Sequence, residues 1–149
     1  KGFEFNVPIT TDETRIVAAC EKLVQASGNT VGLSYNANGN MAVVTGSTGD
    51  ITLNIESIPE TSDFDNNAIS FSLAIVQAGT ARSCTTVNLN GYTAPIRWAG
   101  GSLASAISGL TTSSGMDVYS FTGINTVGSA STTVNYQVLG QSNNDFRTY

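Results

Sequence analysis

The sequence predicts a mainly β protein, an antiparallel β-sandwich of jelly-roll type with one N-terminal helix, and three observations predict it. Only 11% of the residues are charged while 40% are hydrophobic, and Ser, Thr, Asn and Gly, all poor helix formers, fill much of the remainder. Short runs alternate apolar and polar residues with period two, the mark of a strand with one buried face. Gly- and Asn-rich turn signals recur between those runs, at a spacing that suits a sandwich or barrel. The 149 residues fit one domain, which at this size buries roughly 70% of its unfolded surface.

Residues 1–30 read as an N-terminal strand and a helix. Phe3, Phe5, Val7 and Ile9 alternate with polar residues, as a strand does. Thr10 and Glu13 stand at capping-box spacing, with Asp12 adding negative charge to the same first turn. Ile16, Val17, Cys20, Leu23 and Val24 then mark one helical face, and Gly28 is a helix stop. Residues 12–26 are therefore expected to be helical, with an irregular pair of strands as the competing reading.

Residues 31–140 read as the sandwich. Val31, Leu33 and Tyr35 alternate, residues 36–40 form an Asn-Gly turn, and residues 41–45 run apolar, which together signal a hairpin. Gly46-Ser47-Thr48-Gly49 is a second turn, and residues 51–55 alternate cleanly. Residues 59–67 form an acidic loop before the alternating Ile69, Phe71, Leu73 and Ile75. Asn90-Gly91 is a further hairpin signal, followed by the run 94–98. After Gly100-Gly101 comes a small-residue surface loop, and residues 118–122 and 136–139 are the closing pair of strands. Residues 141–149 are expected to be a polar tail, loose or docked on a neighbour.

Composition also limits chemistry. The chain holds no histidine, which removes the commonest general base, the usual nucleophile pairs and most zinc sites. No G-x-S-x-G elbow is present, and the segment 46–49 lacks the Lys of a phosphate loop. Asp63 and Asp65 are the closest carboxylate pair, but nothing else in their loop suggests the sugar cleft of a glycosidase. Asp63-Phe64-Asp65-Asn66-Asn67 resembles the first half of a calcium loop, but Ala68 stands where Gly is needed and no Glu stands at the twelfth position. Solvated loop charge explains them. No catalytic residue, cofactor or metal is expected, and the chain reads as a non-enzyme. A net charge of −5 with six scattered Lys and Arg argues against nucleic acid. No segment has the roughly 20 apolar residues of a membrane span.

Trp98, Tyr92 and Tyr119 are candidates for glycan or partner contact, although a lone Trp on an alternating strand is more often core. Phe146 and Tyr149, near the C-terminal end of the sequence, are hard to bury within one chain and are candidates for inter-subunit contact.

From about residue 50 to residue 141 the order of features resembles a virion structural and tail-fibre module of tailed phages, of the kind found in those of marine cyanobacteria. The residues that carry it are Ile51-Thr52-Leu53-Asn54-Ile55, the strand ending in Gln77 with the turn to Arg82, and Trp98-Ala99-Gly100-Gly101. Asp117-Val118-Tyr119-Ser120-Phe121 and the ending Val138-Leu139-Gly140 complete it. Extra residues between Thr80 and Pro95, and between Phe121 and Tyr136, depart from the pattern. The resemblance implies a structural protein of a tail fibre, baseplate or tail-associated assembly, acting by subunit packing and host attachment. A capsid decoration protein and a carbohydrate-binding module are the alternatives. It further implies a homo-oligomer, three-fold as fibres often are, contacts with other virion proteins, and location in a virion assembled in the bacterial host cytoplasm. In that compartment two free, buried thiols at Cys20 and Cys84 are favoured over a disulfide.

Overall fold

The computed structural model describes residues 23–35, 40–58, 68–103, 115–125 and 136–146. They form ten strands: β1 (Leu23–Ser27), β2 (Thr30–Ser34), β3 (Met41–Thr45), β4 (Ile51–Glu56), β5 (Ala68–Val76), β6 (Cys84–Leu89), β7 (Tyr92–Ala94), β8 (Ile96–Trp98), β9 (Met116–Asn125) and β10 (Tyr136–Phe146). One sheet has the order β1-β3-β5-β9-β10-β8 and the other β2-β4-β6-β7. The mainly β class holds, and the two mixed sheets share one hydrophobic core.

From β1 to β6 every strand lies in the opposite sheet to the one before it. Odd strands therefore pair in parallel with odd, and even with even: β1 with β3, β3 with β5, β2 with β4, and β4 with β6. The chain winds as a flattened coil of three turns, the local geometry of a β-solenoid. Antiparallel pairing enters only where β7 folds back on β6 and where β9 inserts between β5 and β10. Five of the eight described strand pairs are parallel, which corrects the antiparallel expectation. The reason is in the strand order: β2 and β3, and likewise β3 and β4, lie in different sheets, so neither pair is a hairpin.

The N-terminal expectation changes too. Residues 23–26, read as the end of a helix, belong to β1 and pair in register with β3; residues 12–22 lie outside the described residues. Gly28 still breaks the chain, at φ +91°, between β1 and β2. The predicted polar tail continues as strand to Phe146. The Asn90-Gly91 hairpin is as expected: both residues have positive φ, 49° and 82°, and they join β6 to β7 with Leu89 opposite Tyr92.

Adjacent coils are tied by asparagines. Asn29 Oδ1, in the β1–β2 turn, accepts from the backbone N–H groups of Thr48 and Gly49 in the β3–β4 turn above it, at 2.9 and 3.0 Å. Asn88 Nδ2 donates to Asn54 Oδ1 at 2.8 Å on neighbouring strands. Such ladders satisfy polar groups only when the coils keep register.

The inner face of the smaller sheet carries the ladder Val31, Leu53, Val87 and Ala94, all buried. Cys84 and Val87 are both buried despite their odd spacing, because a register shift after Ile51 accommodates one extra residue. On the larger sheet one inner row runs Phe71, Phe121, Gly140, Trp98. Gly140 is required there by space. A Cβ at this position would sit 3.1 Å from the Trp98 ring and 3.0 Å from Ile96.

Gly140→Val should therefore cost about 1–3 kcal/mol through overpacking. Gly32→Val, on the exposed side of β2 with nothing within 4 Å of the new Cβ, should be neutral or stabilising, since a β-branched residue suits a strand. Urea midpoints of the two variants check the contrast.

Candidate functional site

Where β5 ends, alternation places Gln77 on the inner side, in step with Leu73 and Ile75. Across the pair, Asp117 faces inward in step with Tyr119 and Phe121. Both polar side chains are buried, Gln77 at 3% exposure and Asp117 at 0%. Gln77 Nε2 donates to Asp117 Oδ2 at 2.8 Å and to the carbonyl of Arg82 at 2.6 Å. Its Oε1 accepts from the Arg82 N–H at 2.9 Å, and its own backbone N–H bonds the carbonyl of Gly115. One amide side chain thus closes the turn 77–82 and ties it to β9. The sequence pattern of a Gln, a turn, an Arg and a distant Asp is a structural lock.

The same end of the core holds a second polar link. Asp50 Oδ1 accepts from both the backbone N–H and the hydroxyl of Ser83, each at 3.1 Å, and Ile51 N–H bonds the Ser83 carbonyl. Beside it, burial pushes the Cys84 thiol up to about 12, partly offset by the Thr86 backbone and reinforced by the nearby Asp50 charge. Burial likewise raises the Tyr119 phenol, helped by the neighbouring Cys84. The Cys84 main chain approaches Tyr119 Oη outside hydrogen-bond geometry, so that hydroxyl is buried without a full partner. A thiol held neutral is a poor nucleophile and a poor metal ligand. Among the described residues no cluster of three or more His, Cys, Asp and Glu is placed to hold a metal ion.

The aromatic candidates do not form one platform. Tyr119 is fully buried and stacks on Phe121 with centroids 6.1 Å apart. Trp98 is half-buried and packs against the core, its ring edge-on to both Tyr119 and Phe121 at 6.1 and 5.9 Å. Gly140 leaves the space it fills. Tyr92 lies apart at the β6–β7 hairpin, 53% exposed and tilted against Tyr136. Phe146 is likewise 53% exposed, on the last strand. Tyr149, Cys20, Asp63 and Asp65 lie outside the described residues, while Cys84 is a free, buried thiol. Among the described residues no helix is long and apolar enough to cross a membrane.

Gln77, Arg82 and Asp117 thus meet at one joint of the fold, and Trp98 and Gly140 at another. No protein family, curated protein or solved structure matches the chain.

Two consequences are measurable. Gln77→Ala and Asp117→Ala should each lower stability by about 2–4 kcal/mol, because each leaves buried partners unmatched. The double variant should cost less than the sum, since both remove the same bond. Chemical denaturation of the four proteins reads this coupling. The raised pKa values of Cys84 and Tyr119 set an alkaline limb. Below about pH 8 both groups are protonated folded and unfolded, so they leave stability flat; from there up to about 12 the unfolded chain loses protons that the folded one keeps, so stability falls as pH rises. Cys84→Ala should make that limb shallower in a denaturation series.

Proposed function

We propose that the chain is a non-enzymatic structural protein of a tailed-phage virion, a component of a tail fibre, baseplate or tail-associated assembly that acts by subunit packing and host-surface contact. One observation carries the reading. Several residues on which the virion-module resemblance rests form joints of the larger sheet: Gln77 and Asp117 lock the β5–β6 turn to β9, and Gly140 receives Trp98. A module defined by its joints, with its titratable core groups buried and held neutral or hydrogen-bonded, suits a building block better than a catalyst. Particles under mechanical load also favour successive coils tied to one another by backbone pairing and, between β4 and β6, by the Asn88–Asn54 bond.

Packing between copies is the means of action. Phe146 presents a large apolar side chain to solvent on the last strand, and such a residue is a typical anchor of a subunit interface. The purified chain should therefore form a homo-oligomer in sedimentation velocity, three-fold if it belongs to a fibre. Phe146→Asp should weaken assembly roughly tenfold or more. A monodisperse monomer over the micromolar range would exclude the reading.

A further inference from the structure

On the outer face of the larger sheet, β5, β9, β10 and β8 form the floor of an open trough of about 530 Å³. Its volume falls within the roughly 300–1,000 Å³ of small-molecule sites. Two rows of side chains cross the floor. One runs Ser70, Thr122, Leu139, Arg97, and the other Ser72, Ser120, Gln141. Neighbouring positions in each row stand one strand apart, about 4.8 Å.

The chemistry of these rows is specific. Four hydroxyls side by side each donate and accept, and Gln141 adds an amide that does both. Leu139, 46% exposed, is the apolar element among them. Among the described residues Arg97 is the only charged one lining the trough, and no Asp or Glu lines it, in a chain of net charge −5. Its Nε donates to Gln137 Oε1 at 2.8 Å, which fixes the guanidinium plane at the rim and leaves its terminal nitrogens without a protein partner among the described residues. A planar fork held in this way matches a carboxylate. The negative field of the whole chain opposes a multiply charged ligand at long range, so a phosphate-rich ligand fits poorly and one carrying single carboxylates fits well.

The geometry points to an acidic saccharide as the ligand of this trough: a sugar carboxylate on Arg97, ring hydroxyls on the Ser and Thr rows, and the apolar ring face on Leu139. The site lies apart from Tyr92, and it uses the outer face of a sheet whose inner face holds Trp98. Because the floor is made of four hydrogen-bonded strands, little ordering is needed on binding. The inference does not rest on the virion role, and its test is independent of the oligomer test.

The test is a titration of the whole chain, followed by backbone amide NMR shifts, with digalacturonate, glucuronic acid and 3′-sialyllactose, and with galactobiose as a neutral control. At least one acidic probe should shift the amides of Ser72, Ser120 and Leu139 saturably at millimolar concentration. Galactobiose should bind roughly tenfold more weakly or worse. Arg97→Gln should weaken the acidic probe to the level of galactobiose while leaving the other amide resonances in place. Ser120→Leu, which fills the floor from an outward position, should abolish binding of all probes. The assignment is overturned if no acidic probe shifts this face, if galactobiose binds as well as the acids, or if Arg97→Gln leaves the affinity unchanged.

Discussion

The structure depends on one constraint: between β1 and β6 the chain changes sheet at every turn. A strand in such a path cannot pair with its sequence neighbour, so its N–H and C=O groups must find the strand two further along. All pairing then becomes parallel, and each coil's register is inherited from the coil before it. The constraint also decides the core. Both sheets receive an inward row from each coil, so Val31 is followed by Leu53 and Val87 on one side while Ala42 is followed by Leu73 on the other. A slip of one residue in any coil would turn that whole row outward.

Parallel coils alone are weak at setting register, because their short apolar rows are much alike. Polar groups supply the discrimination. Asn29 reaches the turn of the next coil, and Asn54 meets Asn88 on the next strand but one in sequence. Gln77 and Asp117 do the same at the change from parallel to antiparallel pairing, where β9 enters beside β5. A buried carboxylate is costly to desolvate, and here it is tolerated because the amide that meets it also closes a turn. The lock fixes which residue of β9 stands opposite Ile75, and that choice sets the rows containing Tyr119 and Phe121. Trp98 then has a defined wall to pack on, and Gly140, opposite it on β10, leaves the space that admits it.

Much of this was legible in the sequence, residue by residue. Period-two alternation located β2, β4, β5 and β9, and the Asn90-Gly91 pair marked its hairpin correctly because tight turns of that kind need two positive φ values. Alternation says nothing about the partner of a strand. For that reason the Asn-Gly segment before Met41 suggested a hairpin, whereas β2 and β3 lie in different sheets. The end of the expected helix failed for a related cause: Leu23 and Val24 fit a helical stripe, but in β1 they point to opposite faces, and pairing with β3 outweighs the local pattern. The Gln77–Asp117 lock had a readable trace. Both residues fall on the inward parity of their strands, and a polar residue on that parity requires a buried partner. What pattern could not supply was the identity of that partner, which only the placement of β9 beside β5 determines.

The two faces of the larger sheet divide the work. Inward positions of β9 carry Asp117, Tyr119, Phe121 and Gly123, each tied by a hydrogen bond, a ring contact or a close approach, so they have no freedom to serve a ligand. Outward positions of the same strand carry Ser120 and Thr122, which the core does not use. Because strand alternation links the two sets, whatever fixes the inner row also fixes the outer one to within the flexibility of the sheet. The Gln77–Asp117 bond, though buried, therefore aligns the hydroxyl rows across β5 and β9, and the packing of Trp98 on Gly140 sets where Arg97 stands relative to Leu139. The outer surface inherits its precision from the core, so the pattern of hydroxyls, amide and guanidinium it presents is as defined as the packing beneath it.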